Sequence, residues 1–191
     1  MPDDGPRQQP EQIVLQALDL ESESLCRELV RRVSRRVSWP CRLITEPWTQ
    51  PFPRIQTPGR DVVNLDKLLA VVADSPHAQE TILVGITSQD IATPLFAYHF
   101  GGVRPGSLAA VVSWARLSPA WYGEPEDPEI TLRRAELEVL HELGHVWGLH
   151  HCRDFACVMR FAPTVEALDV RGTTFCRPCR TTRGVTSLPV H

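Results

Sequence analysis

The stretch HELGHVWGLHHC, residues 141 to 152, holds four of the chain's seven histidines. His141 and His145 stand four residues apart, so on a helix their rings share one face a turn apart, which suits two bonds to one metal ion. Glu142 is offset from that face and can reach a metal-bound water without itself being a ligand. Gly148 can take a positive φ and turn the chain sharply, so that His151 comes back to the same ion. Three neutral imidazoles with an open fourth position leave the ion's full double charge to acidify water and polarise a carbonyl, as three-histidine zinc sites do. The five fixed residues of HExxHxxGxxH arise by chance in such a chain with a probability on the order of one in a hundred thousand. His150 lies outside the spacing and reads as facing solvent or flanking the ligands.

The segment carrying these ligands marks its own boundaries. In PEDPEITLRRAELEVLHELGHVWGL, Asp127 is the expected N-cap, Pro128 the first helical residue, Glu129 an acid in the first turn and Gly148 the far end. Upstream, QIVLQAL reads as a first strand. ESESLCRELVRRVSRRVSW places Leu25, Leu29 and Val33 at spacing four, with Cys26, Val30 and Val37 alongside, as the apolar stripe of a helix with an arginine-rich solvent face. A strand is expected from Cys41, and the proline-rich EPWTQPFPRIQTPG reads as loop. VVNLDKLLAVV reads as a second helix and TILVGITSQDI as a buried strand. PLFAYHFGG and GSLAAVVSWARL read as two further strands joined by GGVRPG. Strands alternating with helices predict a mixed sheet.

With 191 residues and 42% apolar content, the chain fits one globular domain. Its net charge of -3 gives no support to a nucleic-acid or membrane partner. The polar start MPDDGPRQQPEQ is unlike a secretory signal, so a cytoplasmic protein is expected. Four of six cysteines fall in the last forty residues. Cys152, Cys157, Cys176 and Cys179 form two close pairs separated by a loop, the arrangement of a closed structural zinc site. Disulfides, free thiols, a redox role for CRPC and a nucleic-acid-binding zinc knuckle are the competing readings.

Taken together these motifs resemble the archaemetzincins, a family of metzincin zinc metallopeptidases. The wider signature falls on His141, Glu142, His145, Gly148 and His151. The narrower one continues through Cys152, Cys157, Met159, Cys176 and Cys179, and ILVGITSQDI and AAVVSWARL look like sheet strands of the family. Sixteen residues separate Met159 from Cys176, one fewer than is usual there. The resemblance implies an α+β, zincin-like single domain: a mixed, mostly parallel twisted sheet with packed helices, an active-site helix, a Met-turn at Met159 and a four-cysteine structural zinc site. Some metzincins place a tyrosine two residues past that methionine, where this chain has Phe161.

The expected organisation is a disordered tail over residues 1–10, a metallopeptidase domain over 11–182 and a C-terminal tail over 183–191. Two zinc ions are expected, a catalytic one on His141, His145 and His151 and a structural one on the four cysteines. The expected activity is hydrolysis of peptide bonds by a zinc-bound water with Glu142 as general base, with aminopeptidase action implied by some family members. Substrate is expected along an edge strand near AAVVSWARL, with Tyr98, His99 and Trp114 as candidates for the cleft. Partners reduce to a peptide or protein substrate, without nucleic acid or membrane, and the protein is expected to be a monomer. The rival reading is a zinc-stabilised peptide- or protein-binding module with little turnover, which the intact Glu142 disfavours.

Overall fold

The computed structural model describes residues 12–37, 39–57 and 59–181. The expected tails at 1–10 and 183–191 lie outside the described residues. The main sheet has five strands in the order β2-β1-β5-β8-β7: β1 (Ile13–Ala17), β2 (Cys41–Ile44), β5 (Ile82–Thr87), β7 (Gly101–Val103) and β8 (Ala109–Ser113). The β2-β1, β1-β5 and β5-β8 pairings are parallel, and β7 closes the edge antiparallel to β8. A smaller sheet contains the hairpin β3 (Arg54–Thr57) and β4 (Arg60–Asn64), with β6 (Ile91–Ala92) parallel to β4.

Alternation along the strands decides which helices cover each face. Ile13, Leu15, Ile82, Val84, Ile86, Ala110 and Val112 point to one side, where α1 (Glu23–Val33) and α3 (Pro128–Val146) bury Cys26, Leu29, Val33, Val139, Leu140 and Leu143 against them. Val14, Leu83, Ala109 and Val111 point to the other, where α2 (Leu65–Ala73) buries Leu65, Leu68, Leu69 and Val72. All of β5 is buried, as a central parallel strand covered on both faces must be. Two short helices, α4 (Val165–Asp169) and α5 (Arg177–Thr181), come last among the described residues.

Three sequence expectations are corrected. The proline-rich loop contains β3, because Arg54–Thr57 finds a hairpin partner in Arg60–Asn64 across Gly59, whose φ is 75°. The helix expected at VVNLDKLLAVV begins only at Leu65, since Val62 and Val63 extend in β4 and the Asn64 side chain caps the helix by accepting from the Lys67 N–H. PLFAYHFGG is mostly irregular, and the edge strand is GGV itself. The strand from Cys41 and the helix carrying the histidine motif form where the sequence places them. Among the described residues no helix is long and apolar enough to cross a membrane.

Candidate metal centres

Asp127 opens α3 by accepting from the Glu129 and Ile130 N–H groups, with Pro128 first in the helix. The helix runs through His141 and His145 and stops at Val146. Gly148, at φ 84°, then reverses the chain, a conformation that strains any residue with a Cβ. The reversal lets the Leu149 N–H reach the Gly144 carbonyl at 2.9 Å, and it delivers the Leu149 carbonyl to His145. His151 follows in irregular chain. The ligand nitrogens of His141, His145 and His151 lie within 4.8 Å of one another.

Hydrogen bonds fix the ring tautomers. His141 Nδ1 donates to the Val158 carbonyl at 2.9 Å and His145 Nδ1 to the Leu149 carbonyl at 2.8 Å. A carbonyl can only accept, so both protons sit on Nδ1 and both Nε2 lone pairs face inward. The two Nε2 atoms are 3.1 Å apart. Burial pushes the His141 imidazole down to about 4 and lowers His145 and His151 as well. Neutral rings with converging lone pairs repel one another unless a cation lies between them, and this donor set fits zinc. His150 is exposed and stays outside the group.

Glu142 is buried beside the rings, and its Oε2 has no hydrogen-bond partner. Burial, and then the neighbouring Glu138, push its carboxyl well above the usual carboxylate range. Its other oxygen packs on the backbone of β7: a Cβ on Gly101 would sit 2.9 Å from Glu142 Oε1. Met159 is fully buried beneath α3, where a Cβ on Gly144 would overlap its Sδ.

The rings and Glu142 open on a cavity of about 720 Å³. Tyr98 and His99 line it as the sequence predicts. Trp114 does not; its Nε1 donates to Ser22 Oγ at 2.8 Å. The edge strand near AAVVSWARL is β7, which pairs with β8 on one side and borders the cavity, while β8 itself is paired on both sides. Phe161 stacks obliquely on His151 at 5.0 Å, and Arg160 lies over the Phe155 ring, turned to a partner of its own. Sequence reasoning missed Glu138 and Arg171, a buried ion pair also lining the cavity. Glu138 was findable, since it lies one turn before Glu142 on the same helix face; Arg171 carries no local signal.

The second centre follows at once. The sulfur atoms of Cys152, Cys157, Cys176 and Cys179 lie within 4.8 Å of one another. Cys152 and Cys176 are 3.7 Å apart and Cys157 and Cys179 3.8 Å, too far for disulfides, and all are free thiols. About 3.8 Å is the edge of a tetrahedron whose corners stand ~2.3 Å from its centre, the Zn–S distance. Burial raises the Cys157 thiol to about 11 and raises Cys179 further, whereas at Cys176 hydrogen bonds from the Cys179 amide and neighbouring thiols outweigh burial and lower it. A central cation is what would hold all four as thiolates. CRPC does open a short helix, α5, yet both its thiols face two further cysteines. Backbone bonds tie the two centres together: the Cys152 N–H donates to the Met159 carbonyl at 2.9 Å, and Val158 N–H, next to Met159, to Thr174 at 2.9 Å.

Comparison with known proteins shows the family and the fold. The model of peptidase family M54 matches residues 62–183. An archaemetzincin of Pyrococcus horikoshii is 44% identical over 96 residues, 50% of this chain and 51% of that protein, so the chain spans about half the length of this relative in the match. An archaemetzincin of Natronomonas pharaonis is 31% identical over 125 residues, 64% of this chain and 71% of the other. The crystal structure of archaemetzincin from Methanopyrus kandleri superposes with a TM-score of 0.75 at 28% identity, covering 95% of this chain and 98% of that one. The mixed α/β fold is thus that of the archaemetzincin structures, and the chain belongs to peptidase family M54.

Proposed function

We propose that the protein is a zinc-dependent peptidase that hydrolyses peptide bonds in a peptide or protein substrate. The observation that carries this reading is the convergence of the His141, His145 and His151 ring nitrogens on the cavity that also receives the unpartnered Glu142 Oε2. Zinc held by the three histidines would acidify water and polarise the scissile carbonyl. Glu142 then acts as general base: its carboxylate takes the proton of the attacking water and returns it to the leaving amine. The open outer edge of β7 offers main-chain groups to an extended peptide. Met159 is read as the Met-turn, an apolar floor beneath the histidines.

Cys152, Cys157, Cys176 and Cys179 would hold a structural zinc. Cys152 adjoins His151 and Cys157 precedes Met159 by two residues, so that ion would fix the loop carrying the third catalytic ligand. Six free thiols suit a reducing, cytoplasmic setting. Aminopeptidase action needs a carboxylate to hold a terminal amine, and the two carboxyls lining the cavity are Glu138 and Glu142. The alternative, a zinc-stabilised binding module, leaves the buried Glu142, with its Oε2 unpartnered, without a purpose.

The test is cleavage of a diverse peptide mixture, read by mass spectrometry, with wild type and Glu142→Ala at equal zinc content. Cleavage by the wild type alone is expected, and the cut positions separate exo- from endopeptidase action. Equal cleavage by both proteins would remove Glu142 from the mechanism, and no cleavage by either would favour the binding module.

A further inference from the structure

The cavity beside the histidines has a polar floor that peptide hydrolysis does not require. Arg171, only 3% exposed, follows α4 and donates from Nη2 to Glu138 Oε2 at 2.9 Å. Glu138 is 6% exposed. Both line the cavity, and the buried Arg171 Nε has no hydrogen-bond partner. Around them the lining is largely apolar, with Phe100, Val103, Ala162 and Pro163. An ion pair with an unmet donor at the end of an apolar pocket selects whatever completes its hydrogen bonds.

Resting on the peptidase reading, we propose that Glu138 and Arg171 determine specificity: the pocket takes a substrate side chain ending in a carboxamide, glutamine or asparagine, on a residue flanking the scissile bond. A carboxamide carries both complements, a carbonyl that accepts from Arg171 and an NH₂ that donates to Glu138. A carboxylate side chain would satisfy Arg171 but meet Glu138 and Glu142. A lysine or arginine side chain would meet the Arg171 guanidinium. An apolar side chain would supply neither complement and leave the Nε–H unmet, the costliest mismatch for a buried donor.

The experiment uses the full-length, zinc-loaded protein and peptides differing only in one residue, Gln, Glu, Lys or Leu, placed on either side of a cleavable bond. Cleavage rates are measured with wild type, and affinities by fluorescence anisotropy with Glu142→Ala. The glutamine peptide is expected to lead the other three by about tenfold in both. Arg171→Leu alone would strand Glu138 and risks misfolding, so the comparison is the paired Glu138→Leu, Arg171→Leu variant, which removes both partners together. With zinc content and circular dichroism matching wild type, that variant is expected to prefer leucine. Glutamine preference surviving in it, or no preference in the parent proteins, overturns the assignment. Cleavage without discrimination overturns the pocket and spares the peptidase reading; glutamine-selective binding without cleavage does the reverse.

Discussion

The two candidate metal centres touch in sequence, at His151 and Cys152, and are built in opposite ways. The histidine centre stands on the 19-residue helix α3, its rings fixed by backbone carbonyls and one ligand exposed beside a large cavity. The cysteine centre stands on turns, two isolated bridges (Cys152 to Arg160, Cys157 to Thr174) and the five-residue α5. The first borrows its rigidity from the hydrophobic core and leaves a position for substrate. In the second, Cys157 and Cys179 pack into that same core, but so little regular structure carries the four cysteines that a bound ion would have to fix their loops. On the proposed reading, one chain would carry an open site held by its fold and a closed site that helps to hold the fold.

The largest effect is expected from Cys176→Ser. It should lose the second zinc outright and also weaken zinc at the histidine site by about 10- to 100-fold, measured by chelator competition; unchanged affinity there would show the centres to be independent. Protons should discriminate next. Folded His141, held down to about 4 by burial, stays neutral where an unfolded histidine, at 6.5, takes up a proton. The metal-free protein should therefore lose about 3 kcal/mol of stability as pH falls from 6.5 to about 4, with that contribution intact above 6.5. Urea unfolding at pH 7 and pH 4 checks this, and His141→Leu should lack that part of the loss.

Packing effects are smaller. Gly144→Ala drives a Cβ into Met159 and should cost about 1 to 3 kcal/mol in a urea titration. Gly101→Ala places a Cβ 2.9 Å from Glu142 Oε1; the cleavage rate should drop about tenfold through misplacement of the base, with zinc content unchanged. A fall in zinc content instead would show that Gly101 supports the ligands rather than Glu142.

What could be read from sequence divides along a similar line. The cap at Asp127, the spacing of the histidines and the turn at Gly148 are local devices, so α3 and its ligands were legible residue by residue. The cysteine cluster was legible as a set, because thiols so few and so close have few other uses. Strands β3, β4 and β7 were not, because their stability comes from partners far along the chain and their sequences carry Gly or weak alternation. For the same reason an edge strand was expected near AAVVSWARL without being named: nothing within that stretch tells that GGV will pair outside it. Arg171 was invisible too, since only the fold brings it to Glu138 across 33 residues. Side chains fixed by one helix announce themselves, and a pocket floor assembled from two segments does not.

Stepwise removal of metal by a chelator, following zinc content, peptide cleavage and near-ultraviolet circular dichroism in the same sample, separates the two centres. Two equivalents of zinc are expected at the start. The first should leave from the open histidine site and abolish cleavage without changing the dichroism, and the second should leave more slowly and take the tertiary signal with it. Cleavage persisting after the first equivalent is gone, or tertiary structure lost together with it, would contradict the division into an open catalytic and a closed structural centre.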